Sequence, residues 1–300
     1  MSTNYIVSNQ GMSVAVKRHR FSFSTARRAN EYDGRLTISQ NLISFLATEK
    51  VDVFSFLETK TPHNLKVGTN TGWYKSNEIL LLYELNSYDE WWNAVGKKTR
   101  NMVRKAEKNG VITSAVHPTE ELANNICKIY NSSRKKQKRK NSNFGKTKEQ
   151  VLKEITSSPK NIFIVSRLRD EVVGFSQLIF HSDTVFIKRL VSLEKYWDKG
   201  INNALIAKLF DISAQRGIKK VIFAHWSPWD FYEPSLIDFA MHSGFRLCKV
   251  NRYYAPLTWN GKIVIQLLTS KRIVYAIQWL NQALRPIIMF VGDGLRSSTI

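Results

Sequence analysis

The sequence predicts a mixed α/β protein of two lobes, mixed sheets flanked by helices, with a helical C-terminal tail. Three observations predict it. Strand patterns at Ile162–Leu168, Val172–Phe180 and Thr184–Val191 follow one another across the short polar connections Arg169-Asp-Glu171 and His181-Ser-Asp183, which marks an antiparallel meander. Beyond them strand and helix alternate, and that order requires parallel pairing. A chain of 300 residues with 43% apolar content is long enough for two cores.

The elements are read from punctuation and periodicity. A first lobe, residues 1–111, holds an alternating stretch Val14–Phe23, a helix Ile38–Ala47 and strands Val51–Leu57 and Ile79–Leu85. It closes with a basic helix, Trp91–Lys108, whose apolar face is Trp92, Val95, Thr99, Val103 and Ala106, and Gly110 stops it. Lys97, Lys98, Arg100, Arg104, Lys105 and Lys108 fill the other positions with Glu107 almost alone in opposition, so this face is expected to meet an anion.

A second lobe, residues 112–256, opens with a helix Thr119–Ser133 whose face is Leu122, Ile126 and Ile129 or Tyr130. The run Arg134-Lys-Lys-Gln-Lys-Arg-Lys140 has no periodicity and reads as exposed and flexible. Next come a helix Lys148–Ile155, the meander, a helix from Gly200 to Gly217, a strand Val221–Ala224, a helix Pro234–His242 and a strand Arg246–Tyr254. In residues 257–300 the stretch Ile273–Val291 is apolar but carries Gln278, Asn281, Gln282, Arg285 and Pro286, a poor membrane span. It reads as two amphipathic helices that pack on the lobes; peripheral contact with a membrane, beside Lys262, Lys271 and Arg272, is the alternative.

Lys and Arg number 45 against 24 Asp and Glu, so polyanions are drawn to the chain before any specific contact forms. Nucleic acid, phosphorylated cofactors and anionic lipid all qualify. Cys127 and Cys248 form no CxxC, which argues against a disulfide framework and a cysteine zinc site and for a reducing compartment. Met1–Gly11 lacks the apolar centre of a secretory signal, so the expected location is cytoplasmic, with the inner membrane face as the peripheral alternative.

The segment Val185–Phe245 carries the chemistry. A helix start with little side-chain bulk offers free N–H groups and a positive dipole end to a pyrophosphate, and Gly200 with Lys199 beside it fits that need. The run Val191-Ser-Leu-Glu-Lys-Tyr-Trp-Asp-Lys-Gly-Ile-Asn-Asn-Ala-Leu205 resembles the valine-ended strand, donor phosphate loop and helix of the GNAT superfamily. Gly217, Val221–Ala224 and Ser243-Gly-Phe245 fall where that superfamily has its second strand and last helix, and the likeness spans residues 112–256. It implies a donor site on Val191, Lys199, Gly200, Ile201, Asn202, Asn203 and Ala204. The pattern departs at Asn202, where a second small residue is usual, at Trp197, and at Ala240, so the family's tyrosine acid is not carried over.

Lys98-Thr-Arg100 and Val103-Arg-Lys-Ala-Glu-Lys-Asn-Gly-Val111 resemble the FemAB-like branch, which pairs two such lobes, the first degenerate. That resemblance implies acyl-coenzyme A or aminoacyl-tRNA as donor and an amine acceptor that is envelope-associated or phosphorylated. Direct attack by an amine needs a base and N–H donors for the oxyanion, and no metal. His225, at the end of a predicted strand, and Glu194, before the phosphate loop, are the candidate bases. Lys97, Arg100, Arg104 and Lys105 are candidate phosphate contacts. Trp226 and Tyr232, with Trp229 and Phe231 between them, are candidate walls of the acceptor cleft. A rival reading is a non-catalytic nucleic-acid binder that grips phosphates with the basic helix and the 134–140 run.

Overall fold

A computed structural model of the chain describes residues 3–9, 12–18, 23–28, 40–58, 74–136, 139–158, 161–226 and 234–269. In chain order the elements are β1 (Thr3–Asn9), β2 (Met12–Arg18), β3 (Ser24–Arg28), α1 (Gln40–Thr48), β4 (Val53–Glu58), β5 (Tyr74–Glu84), α2 (Tyr88–Ala94) and α3 (Lys97–Lys108). They continue with β6 (Val111–Val116), α4 (Glu120–Asn131), β7 (Lys135–Lys136), β8 (Arg139–Lys140), α5 (Lys148–Ile155), β9 (Asn161–Leu168), β10 (Glu171–His181) and β11 (Thr184–Ser192). A 3-10 segment, Glu194–Lys199, leads to α6 (Ile201–Gln215), β12 (Lys220–Trp226), α7 (Pro234–His242), β13 (Arg246–Pro256) and α8 (Trp259–Thr269).

The chain divides into two compact units, residues 1–79, 226–231 and 249–300 in the first and 80–225 and 232–248 in the second. These are not the contiguous segments 1–111, 112–256 and 257–300 that the sequence suggested. The reason is packing: α2 and α3 lie on α6 and so join the second unit, while β13 pairs with β4 and joins the first from Lys249 onward.

In the first unit β1, β2 and β3 pair antiparallel, β3 runs parallel to β4, and β4 pairs antiparallel with β13. Leu42 and Leu46, one turn apart on α1, close a core with Val14, Val16, Ala26, Phe54 and Phe56. A buried carboxylate ties the ends together. Asp52 accepts from the Ser24 amide at 2.8 Å and from the Ser24 and Thr258 hydroxyls, and its satisfied lone pairs offset its desolvation.

The second unit carries the meander. Its strands run β12-β11-β10-β9-β6, with β11 and β12 parallel and the rest antiparallel. Gly174 and Phe175, consecutive on β10, show which helices cover which face: a Cβ on Gly174 would stand 2.7 Å from Ile201 of α6, whereas Phe175 packs edge-on against Tyr130 of α4. The α6 face also holds Trp91 of α2, stacked on Phe210 with ring centroids 4.4 Å apart.

Three further expectations need correction. The single helix Trp91–Lys108 is two helices, because Ser87 caps Tyr88–Ala94 through the Glu90 amide and the chain turns extended at Val95 before Gly96 starts α3. The 134–140 run is not without structure: Lys135 pairs with Lys140 and Lys136 with Arg139, and the Asn141 side chain anchors the base by donating to the Tyr130 and Ser133 carbonyls. Strand β6, unread in the sequence, extends the sheet beyond β9. The tail helices placed at Ile273–Val291 lie outside the described residues. Among the described residues no helix is long and apolar enough to cross a membrane.

Candidate active site

The predicted donor loop is a 3-10 segment that ends in Gly200 with φ +77°, after which α6 begins. That dihedral favours glycine, and a second demand is stronger: a Cβ at Gly200 would stand 2.2 Å from the Met102 carbonyl oxygen of α3 and 3.6 Å from Ala106. The room that glycine makes on its Cβ side is taken by packing against α3. Ile201 is buried in the core, and Ala204, also buried, borders a cleft on the α6 face. Lys199, Asn202 and Asn203 are half-buried, and the Asn202 side-chain oxygen lacks a hydrogen-bond partner.

The parallel strands β11 and β12 pair at Thr184–Lys220, Val185–Val221 and Phe186–Ile222, and then separate. Both run on, β11 to Ser192 and β12 to Trp226, so their C-terminal halves flank an opening. Parallel strands deliver functional groups at such carboxyl ends. The opening starts at a defect. Gln177 pairs with Arg189 and Leu178 with Ile187, which leaves Lys188 as the extra residue of a β-bulge, two residues past the last parallel pair. Val191 lies in the freed part of β11, opposite Phe175.

Beside the bulge, on the α4 face, sits a polar cluster that the sequence reading missed. Gln177 is two residues beyond Phe175 and opposite Arg189, so both side chains share the face of Tyr130. The Arg189 guanidinium meets Glu154 of α5 and donates to the Tyr130 hydroxyl, with its centre 5.6 Å from the ring centroid. Lys146, from the connection between α4 and α5, donates to the other Glu154 oxygen at 2.7 Å. Burial first, and the charge of Lys146 second, hold the Lys188 amine below the ordinary lysine range. Burial likewise raises the Tyr130 phenol, against the opposing charge and hydrogen bond of Arg189. Gln177 is 0% exposed, and neither its amide nitrogen nor its oxygen has a partner. No spacing rule picks these residues out; only strand register and helix placement bring them together.

The remaining predicted residues separate. His225 lies in the part of β12 that runs beyond its pairing with β11, and alternation puts it on the face of Phe223, which packs on Phe239 and Phe245. Since Phe245 also packs on Phe210 of α6, His225 lies across the sheet from the Arg189 cluster. Glu194 is exposed in the 3-10 segment. Trp226 is buried, 7% exposed, and Tyr232, Trp229 and Phe231 lie outside the described residues. On α3, Lys97, Arg104 and Lys105 are exposed, and the Arg104 guanidinium stands 5.7 Å from the Trp92 ring centroid. Arg100 is a correction: its Nη1 donates to the carbonyls of Trp92 and Asn93 at 3.1 Å and to that of Val95, so it caps the end of α2 instead of reaching for phosphate. Among the described residues no group of three or more His, Cys, Asp or Glu is placed to hold a metal ion.

Residues 125–233 match the model of the acetyltransferase (GNAT) family, and no curated protein matches the sequence. Among solved structures, FemX is similar with a TM-score of 0.56 at 10% identity, over 84% of this chain and 87% of that one. L-PGS from Bacillus licheniformis is similar at 0.57 and 15% identity, over 90% and 89%. The C-terminal domain of a putative lysylphosphatidylglycerol synthetase from Agrobacterium fabrum gives 0.55 at 11% identity, over 88% and 86%. At these identities the likeness establishes the fold. The segment that matches the GNAT family model holds the strands β11 and β12 and the helix α6, and the chain shares the fold of FemX and of these synthetase structures.

Proposed function

We propose that this chain is an N-acyltransferase that moves an acyl or aminoacyl group from acyl-coenzyme A or aminoacyl-tRNA to an amine by direct attack. The observation that carries the reading is the opening between β11 and β12 beyond Phe186 and Ile222, with a bulge at its mouth and the family's helix directly after it. Attack on a carbonyl builds negative charge on its oxygen, and strand N–H groups released from the ladder near Val191 are suited to receive it. The donor's phosphates are proposed to lie along Lys199, the Gly200 backbone, Asn202 and Asn203. The exposed Lys97, Arg104 and Lys105 supply attraction for a polyanionic donor. His225, at the rim formed by β12, is the proposed base, with Glu194 as the substitute. The fold shared with a putative lysylphosphatidylglycerol synthetase supports including an aminoacyl donor.

The test is a mass-shift screen in which the full chain is incubated with acyl-coenzyme A or aminoacyl-tRNA mixtures and a panel of amines. A time-dependent acylated amine is expected. The His225→Ala chain should then turn over roughly a hundredfold more slowly with donor affinity kept, and the acid limb of its pH profile should change. Catalytically silent protein that binds neither donor would sink the reading; normal turnover with an unchanged pH profile in the variant would transfer the base role to Glu194.

A further inference from the structure

We infer that the Lys146, Lys188 and Arg189 cluster, with the Gln177 amide and the Tyr130 hydroxyl, is a subsite for an oxyanion of the substrate, a carboxylate or phosphoryl group carried beside the reacting centre. Its place in the reaction rests on reading the β11–β12 opening as the transfer site. The class of ligand rests on the cluster's own chemistry.

Two cations share one carboxylate, and a third stands near them. Arg189 and Lys146 share Glu154, whereas the charged neighbour of Lys188 is the like-charged Lys146, and Lys188 makes no ion pair among the described residues. An ammonium held in a partly buried position without a counter-charge is costly, and an anion delivered by a ligand offsets that cost. Gln177 gives a second, independent indication. A fully buried amide with both ends unpartnered loses the hydrogen bonds that water gave it, and a ligand oxygen at the cluster would accept from its nitrogen. The bulge at Lys188 releases it from the strict alternation that would put it on the face opposite Arg189, and its charged neighbour is Lys146 of this cluster. An ammonium ligand fits poorly, because Glu154 is already shared by two cations. The cleft of about 320 Å³ on the α6 face differs: Glu107, Lys208 and Asp211 line it, and its one cation already pairs with Asp211 at 2.7 Å.

The experiment uses the full chain with its lysines reductively ¹³C-methylated, titrated with inorganic phosphate in one arm and succinate in the other at 0.15 M NaCl. The signal missing in Lys188→Gln identifies Lys188. A saturable shift of that signal by either probe is expected, with the tighter probe deciding between phosphoryl and carboxylate. Lys188→Met and Gln177→Leu should each weaken binding about tenfold, the worth of one charge-assisted hydrogen bond, while Lys262→Met, which removes an exposed charge elsewhere, should not. If Lys188→Met does not fold, Lys188→Gln replaces it in the same comparison. No saturable shift with either probe, or equal weakening by Lys188→Met and Lys262→Met, overturns the subsite. Because binding is read without turnover, oxyanion binding in a chain that acylates no amine would fail the transferase reading and leave the subsite standing.

Discussion

The α-carbon of Gly200 lies against the Met102 carbonyl, so that the helix start bearing the family motif is also the floor on which α3 rests. A side chain there must both adopt φ +77° and displace backbone 2.2 Å away. Gly200→Ala is expected to cost about 2 to 5 kcal/mol, the sum of a left-handed conformation and overpacking against an atom that cannot swing aside. Gly217 separates the two terms, since it has φ +67° but nothing within 4 Å of its Cβ position. Gly217→Ala should lose only about 1 to 2 kcal/mol. Denaturant midpoints of the two variants, with unchanged slopes, check the difference.

That pairing also shows how far the sequence could be read. The helices Lys148–Ile155 and Pro234–His242 were found at their true ends, because a Thr147–Gln150 capping box and a proline start are local signals. The helix pair α2–α3 was read as one, because both halves share an apolar period and the break at Val95 is set by packing. Gly200 was found as a helix-start glycine, but its contact with Met102, almost a hundred positions away, leaves no local mark. The cluster at Lys188 was illegible for the same reason: it needs the register of Gln177 with Arg189 and the placement of α4 and α5 over it.

Trp91 should be sensitive to loss of its indole N–H and the ring that carries it. It is fully buried, stacks on Phe210, and donates from Nε1 to the Ser243 carbonyl at 3.0 Å. Trp91→Phe keeps an aromatic surface but strands that carbonyl and opens a void, so a loss of about 2 to 4 kcal/mol is expected in equilibrium unfolding.

The capping role of Arg100 predicts a split within the basic helix. Arg100→Gln removes the donors to the last carbonyls of α2 and should destabilise by about 1 to 2 kcal/mol. Lys97→Gln and Lys105→Gln, at exposed positions, should leave the melting temperature nearly unchanged while lowering affinity for a polyanion at low salt. Equal melting temperatures for all three variants would return Arg100 to the surface.

Lys188 should make stability depend on alkaline pH. Its amine is held below the ordinary value of 10.5 by burial and by Lys146. Between the lowered value and 10.5 the unfolded chain binds more protons than the folded one, so stability rises with pH across that window. Below it the cost of the buried charge is present in full. Lys188→Met should therefore melt higher than the parent at pH 7, and the gap should narrow as the pH approaches 10.5; a constant gap would mean that packing, not charge, sets the difference.

The first unit offers the sharpest energetic test in Glu78 and Arg252. The Arg252 Nε lies 2.8 and 2.9 Å from the two Glu78 oxygens, and the side chains are only 5% and 2% exposed. The Tyr254 hydroxyl stands 3.5 Å from the same carboxylate. At this depth the attraction of the pair largely offsets the cost of desolvating both charges, so removing one partner is worse than removing both. Glu78→Gln withdraws this counter-charge from the buried guanidinium and should cost about 3 to 5 kcal/mol, and Arg252→Met should cost a similar amount by withdrawing this cation from the carboxylate. The double variant Glu78→Gln with Arg252→Met should fall well short of the sum, with a coupling of about 2 kcal/mol or more measured across the cycle in urea. Additive losses would mean that the two side chains stabilise the β13 region through separate packing and that their ion pair contributes little.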